Sequence, residues 1–579
     1  MKYIFFFLIS INLLANENLT PKEKMFLKFK NNFISKDELL LNLLYNITDR
    51  TKIDNEFFSS QKEKCGVSTF LKLKTEKENA SPIVKNEIEK ILARPSKQKF
   101  YDTPSGKFRI HFDTTGTHTV YQPTIDVNPQ NGIPDYVDRT AEIFDFVWNY
   151  EIDSMGYDIP APDGTNGGGN DLFDVYMHKW SGTYGSAYPE NFIPGYLGRG
   201  GYTSYLWVDP NYDGFGYPDR TVPMKVTAAH EFFHCVQFVY NANAGSWLLE
   251  LSSTWIEDIL YDNINDYYAY LSGGNTVFTS PHLSLTTENG LHEYSACVFG
   301  HYVSENFGVS AMQKIWEETI GQDGLSAVDS AMTFYNTNAP DIFAGYCVWK
   351  YLTGNRANAS HPHFQEATSY PKVRIQKRFS SLPIDATNET YPSLENYATY
   401  YLTIVGNHQT GNFQLGFNDP MEQQWRGKMI LDSARNFESI SFNVFDGLTI
   451  SDWQNLDSII FIPANTEYVG NNFLFGLTGV FEPTNVSENN LPTKFSLQQN
   501  FPNPFNPKTK IKYEIAKSGF VSLKIYDILG REIKTLVNEN KNVGTYEIDF
   551  DANNLNSGIY FYKLTTNNFS EMKKMILIK

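Results

Sequence analysis

The chain contains few cysteines, few basic residues and, after its first residues, no long hydrophobic run. Four cysteines among 579 residues exclude a scaffold built on disulfides. Lysine and arginine total 48 against 65 acidic residues. General nucleic-acid binding is therefore excluded, because it needs an excess of basic residues to neutralise phosphate. No segment after about Ala15 has the roughly 20 apolar residues of a membrane span, so no transmembrane span is expected in the mature chain.

The chain is nevertheless long and rich in apolar residues. It is 41% hydrophobic and 15% aromatic, with a formal net charge of −17, and its length predicts about three to five domains. Lys2 precedes an apolar stretch that ends near Ala15. That stretch is too short to cross a membrane but has the length of a signal-peptide core. We therefore expect an exported protein, either secreted or held at the cell surface.

The sharpest motif is H-E-F-F-H, which runs from His230 to His234 inside a stretch with helical periodicity. Residues four apart lie on the same face of a helix, so both imidazoles can bind one zinc ion. Glu231 can lie beside the metal without binding it, which suits a general base that activates a zinc-bound water. The alternative for so short a pattern is two helical histidines satisfied by hydrogen bonds.

A third zinc ligand is expected on the next helix. Catalytic zinc takes three protein ligands and keeps one position open. Glu250 follows a short loop that contains Gly245, and a helix–loop–helix turn can fold it back towards His234. Glu257 lies two turns further along nearly the same face and is expected to hydrogen-bond a histidine ligand. Cys235 competes as third ligand, but neighbouring helical positions diverge by about 100°, so we interpret it as a buried core thiol.

The segment W-L-L-E-L-S-S-T-W-I-E, from Trp247 to Glu257, resembles the W-x-x-E-G-x-A-x-x-x-E segment that follows the histidine helix in gluzincin-type zinc metallopeptidases. Leu251 stands where glycine is usual and Ser253 where alanine is usual, which changes packing beside the ligand and not the ligand itself. The resemblance spans roughly Phe100 to Tyr351 and implies peptide hydrolysis. The residues carried over are His230, His234 and Glu250 as zinc ligands and Glu231 as general base.

Peptide hydrolysis also needs a donor that stabilises the oxyanion formed on the carbonyl. The segment H-E-Y-S-A-C-V-F-G-H-Y, which starts at His292, resembles the later gluzincin helix that carries this donor. Tyr294 is the candidate, with His292 and His301 as rivals. The alternative is that Tyr294, Phe299 and Tyr302 form an aromatic packing stripe.

Two acidic loops are candidate calcium sites. The first, D-V-N-P-Q-N-G-I-P-D-Y-V-D, supplies hard oxygen ligands and resembles an EF-hand-type loop, with one residue too many before Gly132. Its candidate ligands are Asp126, Asn128, Asn131, Asp135 and Asp138. The second loop, from Asp163 to Asp174, is either another calcium loop or a surface turn.

Cys65 lies in the segment that precedes the first predicted strand of the zinc domain. A thiolate supplied by a propeptide could fill the open position on zinc and keep the enzyme latent until that segment is removed. The alternative is a lone thiol, either buried or on the surface, with no role at the metal.

The C-terminal residues alternate in four short segments that are separated by glycines, which predicts a small β-sandwich. The segments are Lys510–Ile515, Val521–Asp527, Tyr546–Phe550 and Ile559–Leu564. They also resemble the type A sorting domain of the type IX secretion pathway of Bacteroidetes and related bacteria. The matching pieces are Q-N-F-P-N-P-F-N-P, V-S-L-K-I-Y-D-I-L-G-R-E-I, N-S-G-I-Y-F-Y-K-L and K-K-M-I-L-I-K. The resemblance implies recognition by the outer-membrane secretion machinery and a domain that is often cleaved.

Together these patterns predict an α+β protein: a mainly helical, zincin-like metalloprotease core with a strand-containing N-terminal part, followed by two β-sandwich domains. The expected function is that of a secreted zinc-dependent endopeptidase acting on protein or peptide substrates. The alternative is a catalytically silent surface adhesin or binding protein with a structural zinc site. The predicted segments are a signal peptide over 1–15, a helical leader or propeptide over 16–95, a zinc metallopeptidase domain over 96–375, a β-sandwich over 380–484 and a type A sorting domain over 491–579.

Overall fold

The computed structural model describes residues 19–60, 62–357, 361–386, 393–419, 423–434, 436–442, 447–483 and 492–579. The predicted signal peptide over 1–15 lies outside the described residues. The described residues form both helices and sheets, so the α+β class is confirmed. None of their helices is both long and apolar enough to cross a membrane.

The helices lie in the N-terminal two thirds of the chain, where helical periodicity predicts them. Capping boxes start the first two: Thr20 pairs with Glu23, and Ser35 pairs with Glu38. The helices are α1 Pro21–Lys30, α2 Lys36–Thr48, α3 Val67–Glu76, α4 Pro82–Ile91, α5 Asp135–Trp148, α6 Thr221–Asn241, α7 Ser246–Tyr261, α8 His292–Ser295, α9 Cys297–Phe307, α10 Ser310–Glu318, α11 Gly324–Thr333 and α12 Ala339–Tyr351.

A six-stranded mixed sheet organises the first compact unit, which holds the described residues up to 280 together with 285–342 and 364–371. Its spatial order is β1-β5-β6-β4-β3-β2. β1 pairs parallel with β5, β5 and β6 are antiparallel, and helix α6 packs on β5 and β6. The strands are β1 Glu63–Cys65, β2 Lys99–Asp102, β3 Phe108–Phe112, β4 Phe173–Met177, β5 Thr183–Ile193 and β6 Gly201–Val208.

The leader is part of this unit and is not wholly helical. Besides α1 to α4 it contributes β1, a strand of three residues that is too short to show alternation in the sequence. Its apolar side chains share one buried cluster with aromatic residues of the sheet. That cluster includes Leu40, Leu44, Phe70, Leu73, Val84 and Ile88 of the leader with Tyr176, Tyr205 and Trp207 of the sheet. The leader therefore packs as an integral layer on the strands that carry α6.

The second unit contains the predicted middle β-region. Two sheets, ordered β14-β13-β16-β11-β7 (with β10 also on β16) and β15-β12-β18-β8, enclose one apolar core, and β9 pairs with β17. The strands are β7 Lys377–Phe379, β8 Ile384–Asp385, β9 Leu394–Glu395, β10 Ala398–Thr399, β11 Leu402–Val405, β12 Gly411–Asn418, β13 Trp425–Ser433, β14 Asn436–Phe442, β15 Leu448–Ile450, β16 Ser458–Asn465, β17 Asn471–Phe473 and β18 Gly476–Pro483.

The C-terminal residues form two further sheets around a core of their own, ordered β19-β20-β23 and β22-β21-β24-β25. Four of these strands match the predicted alternating segments. β19, β22 and β25 were not predicted. β19 has only two residues, and most of β22 is exposed, so that its apolar residues do not alternate cleanly. The strands are β19 Ser496–Leu497, β20 Lys508–Ile515, β21 Gly519–Tyr526, β22 Glu532–Lys541, β23 Gly544–Asp551, β24 Gly558–Thr566 and β25 Ser570–Leu577.

Candidate metal centre

The two histidines of the H-E-F-F-H motif lie together on α6. Nε2 of His230 is 3.2 Å from Nε2 of His234, and both side chains are buried. Nearly every residue of α6 is buried against β5, β6 and neighbouring helices, so packing stabilises the helix along its whole length. The four-residue spacing brings both imidazoles to one point, as the sequence predicts.

Glu250 reaches both histidines from α7. Its Oε2 lies 3.2 Å from Nε2 of His230 and 3.5 Å from Nε2 of His234. The turn between the helices depends on Gly245, which has a φ of 104° and where a Cβ atom would lie 2.9 Å from the ring of Trp247. Glycine alone tolerates that backbone conformation and that contact together. The turn therefore folds α7 back so that the three predicted zinc ligands meet.

Further side chains hold the two imidazoles in place. Oε1 of Glu257 lies 2.7 Å from Nδ1 of His230, which is the hydrogen bond expected for this glutamate. Oε1 of Gln237 lies 2.7 Å from Nδ1 of His234, and Oγ of Ser253 lies 3.2 Å from the same nitrogen. Such partners set the tautomer and orientation of a histidine that binds metal through its other nitrogen. The contacts of Gln237 and Ser253 were not predicted from the sequence.

His230 and Glu250 shift each other's pKa in opposite directions. Burial alone lowers the pKa of His230, but hydrogen bonds with Glu250 and Glu257 outweigh burial and raise that pKa to about 9. Burial also opposes ionisation of Glu250, yet the two histidines lower the pKa of its carboxyl overall. Both shifts favour a protonated His230 beside an ionised Glu250. A metal ion that binds His230 has to displace this proton.

Glu231 lies beside the histidines without joining the convergent group. Its Oε2 is 3.4 Å from Sγ of Cys65, and its Oε1 has no hydrogen-bond partner among the described residues. Burial raises the pKa of Glu231 to about 8, against the opposing effect of His230. A buried carboxyl with a raised pKa next to candidate metal ligands is typical of a group that transfers protons.

Tyr294, on α8, contacts the site. Its side chain is buried, its hydroxyl donates to the backbone carbonyl of Cys65 over 3.4 Å, and its ring centroid lies 6.4 Å from that of His230. The rivals have other neighbours: Nδ1 of His292 bonds a backbone carbonyl, and the ring of His301 stacks on a tyrosine. The hydrogen bond of Tyr294 ends at Cys65, whose sulfur lies 3.4 Å from both His234 and Glu231.

Cys65 completes a buried group that could hold a metal ion. One ligand atom each from Cys65, His230, His234 and Glu250 lies within 4.8 Å of the others. Oε1 of Glu250 has no hydrogen-bond partner among the described residues, so this buried oxygen is available as a metal ligand. Imidazole, thiolate and carboxylate are the ligands that zinc takes in proteins. The residues present therefore fit zinc.

Lys64 is a charged neighbour of the site that the sequence did not reveal. Its Nζ lies 2.8 Å from Oε2 of Glu257 and also pairs with Asp266. Burial alone would lower the pKa of Lys64, but these two carboxylates raise it well above its usual value. Lys64 thus neutralises the glutamate that orients His230. No local pattern in the leader marks this lysine among the many others there.

The predicted calcium loop uses its carboxylates to stabilise its own backbone. Asp126 accepts the backbone N–H groups of Asn131 and the following glycine, and Asp135 accepts the N–H group of Asn128. The side-chain amide of Asn131 donates to Asp138 over 2.9 Å. Across the residues that the structure describes, this loop is not among the groups whose ligand atoms converge. Calcium binding here stays a prediction.

The acidic residues of the second predicted loop pair with an arginine. In the second loop, Asp163 and Asp174 both pair with Arg94, which suits a structural role better than a cation site. A group that was not predicted, Asp258, Asp262 and Glu366, has oxygens close enough to hold an ion. A cluster of carboxylates without a bound ion is common and assigns no ligand by itself.

Comparison with known proteins identifies the C-terminal part of the chain. Residues 499–579 match the secretion system C-terminal sorting domain. The predicted type IX sorting domain is thus confirmed, and it directs the protein through the type IX secretion machinery to the cell surface or the medium. No curated protein matches the chain.

Three solved structures resemble parts of the chain at low sequence identity. PorZ, a surface component of the type IX secretion system of Porphyromonas gingivalis, is 17% identical over 18% of this chain and 14% of that chain, with a TM-score of 0.12. A beta-1,2-glucanase from Parabacteroides distasonis is 12% identical over 34% of each chain, with a TM-score of 0.14. A beta-glucuronidase from Faecalibacterium prausnitzii is 8% identical over 33% of this chain and 38% of that chain, also at 0.14. The chain thus spans well under half the length of these proteins.

Proposed function

We propose that the protein is a secreted zinc-dependent endopeptidase. The observation that supports this most directly is the convergence of His230, His234 and Glu250, from two consecutive helices, beside a buried glutamate that is not one of them. Two histidines and one glutamate form a ligand set of catalytic zinc in peptidases. A zinc ion held there would act as a Lewis acid and lower the pKa of water.

Four side chains of the site have separate roles in the proposed reaction. Glu231 accepts a proton from the water that attacks the peptide carbonyl and returns it to the leaving amine. Tyr294 donates a hydrogen bond to the carbonyl oxygen as negative charge develops on it. In the structure its hydroxyl already donates to a peptide carbonyl, that of Cys65. Glu257 and Gln237 hold the two imidazoles through their Nδ1 atoms.

One observation favours the alternative of a catalytically silent surface protein with a structural zinc site. Cys65 adds a fourth donor to the group, and structural zinc sites are closed by four protein ligands, whereas catalytic sites keep one position open. The two functions differ in what happens once Cys65 is removed. An endopeptidase gains an open position, and a structural site loses a ligand.

The test measures bound zinc and casein cleavage in the wild type and in variants that each replace one carboxyl group by an amide. The full chain is expected to bind one zinc ion per molecule, and limited proteolysis of the leader, followed by inhibition of the added protease, should yield casein cleavage. Glu231→Gln should keep the zinc and lose about 10²–10⁴-fold in rate, the usual contribution of a general base. The matched control is Glu151→Gln, since Glu151 is equally buried but lies outside the site.

The outcomes separate the two proposals. Loss of cleavage in Glu231→Gln, with zinc retained and Glu151→Gln active, supports the endopeptidase. Stoichiometric zinc without cleavage by any processed form supports the silent surface protein. A chain that binds no zinc contradicts both.

A further inference from the structure

Strand β1 carries the leader to the edge of the sheet beside the metal centre. It pairs parallel with β5, so that Glu63 lies opposite Thr183 and Cys65 lies opposite Gly185. Gly185 contacts Glu231 so closely that a Cβ atom there would lie 3.0 Å from Cγ of Glu231. The register of this one strand pair therefore decides which leader residue faces the catalytic candidates, and that residue is Cys65.

The thiol of Cys65 lies among the candidate ligands. Its Sγ is 3.4 Å from Nε2 of His234 and 3.4 Å from Oε2 of Glu231. The backbone N–H of Val67 also donates to the sulfur, over 3.3 Å. The other three cysteines do not belong to the group; Sγ of Cys235, for instance, donates to a carbonyl of its own helix.

The residues on both sides of Cys65 hold it in this position. Gly66 donates its N–H to the carbonyl of Gly185, and a Cβ atom on Gly66 would lie 2.7 Å from the ring of Phe70. On the other side, Lys64 pairs with Glu257. The leader thus contacts the site through a buried ion pair, a thiol and a backbone position without room for a side chain.

We propose that Cys65 is the fourth ligand of the metal and that the leader keeps the enzyme latent. This inference rests on the proposed endopeptidase function. The thiol gives up its proton to solvent as sulfur binds the metal, because only the thiolate is a ligand. The occupied fourth position excludes the attacking water, while the backbone of Cys65 takes the hydrogen bond of Tyr294. Removal of the leader frees the metal position and the tyrosine together.

The decisive measurement is zinc X-ray absorption on the full chain, because it identifies ligands without any assay of activity. The wild-type protein should show one sulfur ligand at about 2.3 Å, together with nitrogen and oxygen ligands at about 2.0–2.2 Å. Cys65→Ser should lose the sulfur signal. Cys347→Ala is the matched control, since Cys347 is also buried and free but lies in the second unit, and it should keep the signal.

Activity is the second readout on the same proteins. The full-length wild type and Cys347→Ala should cleave casein slowly, and full-length Cys65→Ser should cleave it severalfold faster without removal of the leader. Stoichiometric zinc with no sulfur ligand in the wild type would overturn the inference while leaving the endopeptidase in place. A sulfur ligand combined with a zinc-bound but inactive Cys65→Ser, and no activity after proteolysis, would overturn latency and the endopeptidase together. If Cys65→Ser does not fold, the wild-type spectrum still decides the ligand.

Discussion

Two ion pairs of nearly equal length show how differently the metal centre and the C-terminal sandwich are built. Lys64 and Glu257 lie 2.8 Å apart with side chains only 4% and 2% exposed. Lys510 and Glu547 lie 2.7 Å apart with side chains 59% and 35% exposed. The buried pair has no water to replace a lost partner, whereas the exposed pair does. Although the two pairs have nearly the same length, breaking the buried pair is therefore expected to destabilise the protein more than breaking the exposed pair.

The same contrast extends to the backbone. Gly185, beside the metal centre, has heavy atoms within 3.0 Å of the place where a Cβ would stand, whereas Gly519 in β21 has only a side-chain atom at 3.9 Å. The metal centre depends on close approach of several elements. The sandwich depends on alternation along each strand and tolerates change on its outer faces. Three substitutions test this difference, and their expected effects decrease in the order given.

Lys64→Met should have the largest effect. It leaves Glu257 and Asp266 buried without their shared cation, and breaking a buried pair in this way costs about 3–5 kcal/mol. We expect a lower melting temperature for the unfolding of the first unit. We also expect a weaker zinc affinity, because Glu257 orients His230. Calorimetry and zinc titration measure the two effects. A loss below about 1 kcal/mol would mean that water reaches this pair as it reaches exposed ones.

Gly185→Ala should have an intermediate effect. The new methyl group meets the carbonyl oxygen of Trp207 at 2.8 Å and Cγ of Glu231 at 3.0 Å, and overpacking of this kind costs about 1–3 kcal/mol. Gly519→Ala is the matched control in the sandwich, where the methyl group has space and the change should be close to neutral. Thermal unfolding of both variants provides the comparison. Equal behaviour of the two glycines would contradict the tight packing inferred at β5.

Local patterns were sufficient to predict much of the metal centre. His230 and His234 meet because their spacing matches the helical repeat, and Glu250 joins them across a turn of a few residues. Both relations are short-range, so the chain sequence contains them almost directly. The alternation in β20, β21, β23 and β24 predicted the sandwich for the same reason. The catalytic roles of His230, His234 and Glu250 remain a prediction from chemistry.

The rest of the site depends on pairings between distant parts of the chain. The sequence offered a place for Cys65 at the metal only as one of two alternatives, because that place depends on β1 pairing with β5 more than a hundred residues away. A strand of three residues has no alternation that predicts such a pairing. Lys64, on the same short strand, pairs with Asp266, which lies 202 residues further along the chain. Acidic loops present a different difficulty. Asp126 accepts backbone N–H groups of its own loop. A loop whose carboxylates bind a cation has the same kind of sequence, so the sequence alone does not separate the two roles.

Lys510→Met should have the smallest effect. It removes the cation of an exposed pair on β20, for which the expected change in the free energy of unfolding is about 0–1 kcal/mol, and Glu547 keeps Lys512 as a second partner at 3.4 Å. The sorting domain should remain folded, and export of the full chain should remain normal. Thermal unfolding and the amount of secreted protein measure this. A loss as large as that of Lys64→Met would show that burial is not what separates the two ion pairs, because it would make the exposed pair as costly to break as the buried one.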